Sequence, residues 1–349
     1  MKIRTFELCA GYDSQLMALE RLKKKHSDFD YECIGWSEIE PSAITLHNAC
    51  FPSLSGKNFG DMTKIDWSKV ADFDLLTYST PCQSVSQAGM QEGIEEGSNT
   101  RSSILWFTRN AIITKRPKYL LMENVEALVQ TKFIGFFNKW RKELESYGYA
   151  NYVKVVNAAD CGVHQNRKRV FMLSIRNDGD KMDYHFPRKT KLKKHLVDVL
   201  EENVDEKYFL SDALLCKEKF VPNEWKEPMG AAIRTRSEGE WIKGEKHSPK
   251  VEFGKNIANT ITSASKDSLV VLGKTRLRIR RLTPRELFRL MNVDEEYIDR
   301  MLESGVSKSS LQKAAGNSIV VACMEIIFEE LWFPENNVKV ADDGQLCLF

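Results

Sequence analysis

One thiol, one carboxyl and two guanidinium groups stand where nucleophilic or acid–base chemistry could use them. They are Cys82 in Thr80-Pro81-Cys82-Gln83, Glu123 in Met122-Glu123-Asn124-Val125, and Arg167 and Arg169 in Gln165-Asn166-Arg167-Lys168-Arg169. Cys82 follows a short apolar run at Leu75-Leu76 and opens a stretch rich in Ser, Gly, Gln and Glu. That is the pattern of a buried strand delivering a cysteine to its carboxyl end, where open α/β sheets bind ligands. Free cysteine is also among the most buried residue types, so the local pattern leaves nucleophile and core residue both open. Two further carboxyls, Glu38 and Asp61, stand at expected strand ends. An acid after the second strand suits a ribose diol, because a carboxylate accepts two hydroxyl bonds there. Gly11, just past the first strand, suits close backbone approach to a ligand. Taken alone, Gln165 to Arg169 is equally a solvated basic turn.

The elements that must position these groups alternate. Strands are expected at 2–9, 31–39, 72–78, 118–123, 151–157 and 169–175, with Gly60-Asp61-Met62-Thr63 at another strand end. Helices are expected at 14–25, from Pro41 onward, at 101–115 and at 133–147. Such alternation calls for an α/β fold, a largely parallel sheet with helices on both faces. From about Asn177 to Gly273 the chain is polar, charged and turn-rich, which reads as a smaller, irregular second domain. Beyond it, RLRIRRL at 276–282 suggests a strand with one cationic face. Thr283-Pro284-Arg285-Glu286 has the residues of a capped helix start, and a long amphipathic helix is expected over 308–332. The tail 334–349 reads as a loose terminus.

Composition narrows the class. The 349 residues suffice for two domains, and their 42% hydrophobic and 29% charged residues are ordinary for a globular protein. The absence of any run near eighteen apolar residues, and of a secretory signal, points to a cytoplasmic protein with no membrane partner. The eight cysteines are scattered without a CxxC pair, against a structural zinc, any other metal site or a disulfide framework. Net charge is only +2, yet residues 176–281 hold 23 Lys and Arg against 17 Asp and Glu. An uneven charge of that kind is a weak footprint of polyanion binding.

On these residues the chain resembles the S-adenosyl-L-methionine-dependent cytosine-5 DNA methyltransferases, in nearly its whole length. The resemblance rests on AGYDSQ, SEI, GDMT, TPCQSVSQAG, TRSSIL, MENV, QNRKR, RLTPRE and GNS, in that order. It implies a Rossmann-like catalytic domain from 1–177 and 276–333 and a target-recognition domain at 178–275. It assigns Cys82 as the nucleophile, adding to C6 of a cytosine so that C5 becomes reactive towards a methyl group. Glu123 would relieve charge at the ring nitrogen N3. Arg167 would hold the base near the thiolate, and Arg169 would be largely structural. For the methyl donor it implies a site made by Cys9, Gly11, Tyr12, Asp13 and Ser14, with Glu38 on the ribose and Ile39 and Met62 about the adenine. Asp61 would accept from the adenine amine, Pro81 and Ile104 would close the pocket, and Asn317 and Ser318 would reach it from the far end of the chain. Two departures stand out: Cys9 replaces an aromatic, and Asp13-Ser14 replace two glycines, though either can cap the following helix.

The target base lies inside a duplex and must be flipped out. Residues 84–100 have the composition of a closing lid, and Gln83, Ser86 and Gln87 are candidates for contacting the opened double-stranded DNA. Thr260-Ile261 resembles the family's pair that supports the flipped nucleotide. Arg169, Arg234, Arg236 and Lys243 are candidates for phosphates and base edges. The partner is thus duplex DNA, met by a monomer, with any cognate restriction endonuclease acting independently. A tRNA cytosine-5 methyltransferase on the same fold, a catalytically silent DNA-binding regulator and a dinucleotide-dependent oxidoreductase are the rival readings. The first loop lacks GxGxxG, which disfavours the last.

Overall fold

Apolar strands and amphipathic helices in alternation can bury their faces only by layering. The computed structural model shows that layering in two compact units. It describes residues 1–79, 101–179, 183–190, 195–210, 228–234, 250–253, 257–263, 268–272 and 278–334.

The first unit comprises Met1–Asn157, Lys168–Lys189 and Val321–Phe349. Its strands are β1 (Lys2–Leu8), β2 (Asp30–Ser37), β3 (Leu75–Tyr78), β4 (Tyr119–Val125), β5 (Tyr149–Asn157) and β6 (Lys168–Arg176). They form one sheet in the order β2-β1-β3-β4-β6-β5. The pairs among β1, β2, β3 and β4 are parallel, while β6 runs antiparallel to both β4 and β5. All four residues of β3 are buried, as a central strand covered on both faces requires. Alternation along β1 sends Phe6 and Leu8 into a core with Leu76, Tyr78, Phe137 and Trp140. Thr5 and Glu7 take the other face, where Glu7 sits in register with Trp36 and Thr77. Helices α1 (Ser14–Lys25), α2 (Pro41–Cys50), α3 (Thr108–Lys115), α4 (Ile134–Ser146) and α8 (Val321–Trp332) flank this sheet, with α8 packed on α1.

The second unit comprises Ala158–Arg167 and Thr190–Val320. Here β7 (Met229–Arg234), β8 (Lys250–Phe253), β9 (Leu269–Leu272) and β10 (Arg278–Arg281) make an antiparallel sheet in the order β10-β9-β7-β8. Helices α5 (Pro284–Leu290), α6 (Glu295–Glu303) and α7 (Lys308–Asn317) follow it. Among the described residues, the expected cationic face of RLRIRRL is broken at Arg280, while Arg278 and Arg281 are exposed and Arg276 lies outside them. Arg280 is 1% exposed and places both terminal nitrogens 2.7 Å from the two oxygens of buried Glu286. Glu286 is also the third residue of the capping box that starts α5, accepting from the Thr283 N–H at 2.8 Å. One carboxylate therefore ties β10 to α5. For this reason residues 278–317 are compact with the small sheet, whereas the sequence grouped them with the larger one.

Two further expectations change. The helix expected over 308–332 is two helices, because α7 ends at Asn317 and α8 begins at Val321. Asp61 does not end a strand; it caps a short 3-10 turn, Met62–Lys64, after a single bridge between Trp36 and Asn58.

Candidate functional site

Within the first unit, the carboxyl end of the sheet gathers the groups that could act on a base. Glu123 lies near the end of β4 and is only 6% exposed. The Ser79 hydroxyl, one residue past β3, donates to its Oε2 at 2.5 Å. Arg169 Nε lies 3.2 Å from its Oε1. Arg169 reaches it because β6 pairs antiparallel with β4, Arg169 opposite Val125 and Phe171 opposite Glu123, so alternation puts both ionic side chains on one face. A carboxylate so held is a fixed acceptor with a cation at its side.

The methyl-donor candidates surround the loop after β1. Three of its residues are left-handed, Cys9 at φ 55°, Gly11 at φ 62° and Asp13 at φ 70°. The Gly11 N–H donates to Glu38 Oε2 at 3.1 Å, and the N–H groups of Ile39 and Glu40 donate to Glu38 Oε1 at 2.8 and 2.9 Å. Asn58 braces this corner, its Oδ1 accepting from the Glu38 N–H and its Nδ2 donating to the Glu38 carbonyl. A Cβ at Gly11 would meet nothing within 4 Å, so the space above the loop is open. Ile39 is 64% exposed beside it. Met62, by contrast, is 6% exposed in the core, with the Cys9 thiol 3.7 Å from its sulfur. Ile104 is half-buried on the same core. The Thr63 hydroxyl and N–H, with Lys64, hold the Asp61 carboxyl below the usual range. Burial, and then the charge of Glu38, push the Cys9 thiol up to about 12. An acid for a diol, a second acid and an open glycine loop are a donor set that fits a nucleoside with an adenine-like base. Tyr12, Asp13 and Ser14 are buried, so their side chains shape the loop from within; Asp13 caps α1 by accepting from the Leu16 N–H at 3.0 Å.

In the second unit the Gln165–Arg167 loop is an internal clamp. Arg167 is 3% exposed and donates to the carbonyls of Ile261 at 2.8 Å, Gly316 at 2.9 Å and Ser318 at 2.6 Å. Gln165 takes the Ile261 N–H at 3.0 Å and donates to the Leu290 carbonyl at 2.8 Å. The Thr260 hydroxyl donates to the Asn166 carbonyl at 2.5 Å. Asn317 is exposed at the end of α7 and Ser318 is half-buried beyond it. Arg169 is thus the cation on Glu123, while Arg167 is bound to backbone carbonyls. What distinguishes them is the start of β6 at Lys168, which leaves Arg167 in the loop and Arg169 in the strand, and that boundary is not evident from the sequence. Ser79 and Asn58 were also missed, since neither belongs to a motif with a chemical signature.

Pro81, Cys82, Gln83, Ser86, Gln87, Arg236 and Lys243 lie outside the described residues, and Arg234 is described only as the end of β7. Among the described residues no cluster of His, Cys, Asp and Glu could hold a metal ion.

Comparison with known proteins bears on this arrangement. The family model of the C-5 cytosine-specific DNA methylases matches residues 3–332. The type II methyltransferase M2.ScrFI of Lactococcus lactis subsp. cremoris is 35% identical, with 95% of this chain and 99% of the relative covered. The orphan methyltransferase M.SssI of Spiroplasma monobiae is 30% identical over 95% of this chain and 97% of its own. The crystal structure of the S. pombe Dnmt2 methyltransferase shares the fold, with a TM-score of 0.68 at 18% identity, covering 96% of this chain and 99% of that one. A β-rich second sheet, a mostly parallel first sheet and a match across nearly the whole length leave one conclusion: the chain belongs to the C-5 cytosine-specific DNA methylase family.

Proposed function

We propose that this methyltransferase acts on a cytosine flipped out of double-stranded DNA, through a transient bond between Cys82 and C6 of the base, with S-adenosyl-L-methionine as methyl donor. The observation that carries the proposal is Glu123, buried between Ser79 and Arg169 at the end of the strand beside the one that leads to Cys82. Cys82 follows Ser79 by three residues, and Cα–Cα steps of about 3.8 Å limit that span to roughly 11 Å.

Cytosine C5 is too electron-poor to accept an alkyl group unaided. Attack of the Cys82 thiolate at C6 forms an S–C bond and pushes the ring electrons to C5. Glu123 shares a proton with N3 and so relieves the charge that builds on the ring. Arg169 is the positioning residue that fixes the carboxylate's orientation. When bound, S-adenosyl-L-methionine supplies an electrophilic methyl group. Loss of the C5 proton and breakage of the S–C6 bond then restore the aromatic ring and the free thiolate. Glu38 would hold the donor's ribose, Ile39 its adenine face, Asp61 the adenine amine, and Gly11 the approach of its amino-acid part. Asn317 and Ser318 would reach the donor from the far end of the chain, and Thr260 would support the flipped nucleotide. The same reading includes target recognition by residues within 178–275, a monomer working in the cytoplasm, and independence from any cognate endonuclease. Among the described residues, no helix is long and apolar enough to cross a membrane.

The test is methyl transfer from labelled S-adenosyl-L-methionine to duplex DNA and to tRNA, with modified positions mapped at single-base resolution. 5-Methylcytosine at one recurring duplex sequence, absent with Cys82→Ser, is expected. Transfer to tRNA alone, or near-normal transfer by Cys82→Ser, would overturn the proposal.

A further inference from the structure

Beneath the glycine loop lies a pair of ionisable groups that the chemistry above does not use. Asp13 stands where the family resemblance would place a glycine, and its backbone is left-handed at φ 70°. That conformation strains an L-residue. Its carboxylate is fully buried and has two partners: Oδ1 accepts from the Leu16 N–H at 3.0 Å, and Oδ2 lies 3.2 Å from His47 Nε2. A carboxylate only accepts, so Nε2 carries the hydrogen. His47, on α2, is also fully buried and lies flat on the Trp36 indole, ring centroids 3.6 Å apart and planes 15° from parallel. Trp36 is itself anchored, its Nε1 donating to the Leu54 carbonyl at 2.9 Å. The neighbouring acid, Glu7, has its carboxyl raised well above the usual range, first by burial and then by the charge of Asp13.

We propose that His47 is the positioning residue of the donor-binding loop. Through Asp13 it holds the left-handed turn that presents the Gly11 N–H to Glu38, a task that glycine performs without a partner. This inference rests on reading that loop as the S-adenosyl-L-methionine site. It makes a specific demand: His47 should matter only while residue 13 is aspartate. Without the imidazole, Asp13 is a buried anion lacking its second partner, and the loop relaxes to solvate it. With glycine at 13 there is no anion to hold.

The experiment measures S-adenosylhomocysteine affinity by calorimetry, and thermal stability without ligand, for the full chain and four variants. His47→Phe, which keeps the stack on Trp36, should bind at least about tenfold more weakly than the unmodified chain. His47→Gln, which keeps a donor near the Nε2 position, should recover most of that loss. Asp13→Gly is the reference background: adding His47→Phe to it should cost little further affinity. Affinity unchanged in His47→Phe, even with a lower melting temperature, would overturn the proposal. So would a loss on adding His47→Phe to Asp13→Gly as large as the loss in the unmodified chain. If His47→Phe does not fold, His47→Gln and the double variant against Asp13→Gly still decide the matter. An unmodified chain that binds no S-adenosylhomocysteine would instead defeat the reading of the loop, and this inference with it.

Discussion

Arg167 and Arg169 are two residues apart in the sequence and belong to different problems. Arg169 holds the Glu123 carboxylate, so on the proposed mechanism Arg169→Ala should cut the methyl-transfer rate by about a hundredfold or more while the melting temperature stays within a few degrees. Arg167→Ala should instead leave three backbone carbonyls unmatched and lower unfolding free energy by about 3 kcal/mol, measured by urea denaturation. Equal stability loss in both variants would contradict this division. Cys9 offers an independent check at the same scale. With its thiol pushed up to about 12, it is protonated at pH 8, and iodoacetamide should leave it unmodified in the folded protein. Rapid alkylation there, read by mass spectrometry, would place it in a different environment. Glu38 and Glu123 were legible in the sequence because an acid at a strand end is visible from the hydrophobic run before it. The division between the arginines was not, because it depends on where β6 begins. Nor was the Asp13–His47 pair, whose members are thirty-four positions apart with no shared motif.

Among the elements, the β10–α5 corner and the end of α7 depend on single residues. Glu286→Gln would leave Arg280 charged, buried and half-partnered, which should cost about 3–5 kcal/mol in chemical denaturation. Gly316→Ala should also destabilise, because its Cβ would fall 2.4 Å from the Thr262 carbonyl carbon. Within β1, Arg4 grips Asp74 through Nε, Nη2 and its backbone N–H. Burial raises the Asp74 carboxyl, but the Arg4 hydrogen bonds outweigh it and hold the group below the ordinary range. Its folded value lies below its unfolded one, so the stabilisation is fully present above about pH 5 and is lost as pH falls through the unfolded towards the folded value. Asp74→Asn should therefore flatten the loss of stability between about pH 5 and pH 3; an unchanged acid slope would contradict it. The capping box was readable because its residues are local. The break between α7 and α8 was not, since Ile319, Val320 and Val321 carry apolar periodicity straight through it.

For the whole molecule, the alternation of strand and helix was enough to foresee a mostly parallel sheet clothed on both faces. It could not show that β6 is antiparallel, because strand direction leaves no mark on hydrophobic period. Nor could it show that α5–α7 are compact with the small sheet, a grouping supported by the Arg280–Glu286 pair and by the Gln165 bridge to Leu290. The excess of basic residues over 176–281 leads to one further expectation: duplex binding should weaken steeply with added salt as counterions are released. A flat response would argue against a polyanion partner. The central claim concerns a bond, and it is tested most directly by offering a duplex with 5-fluorocytosine at a mapped target position, together with S-adenosyl-L-methionine. Fluorine cannot leave as a proton does, so the account predicts a protein–DNA complex that survives denaturation and disappears with Cys82→Ser. No such complex at a position proven to be methylated, or one that persists in Cys82→Ser, would contradict it.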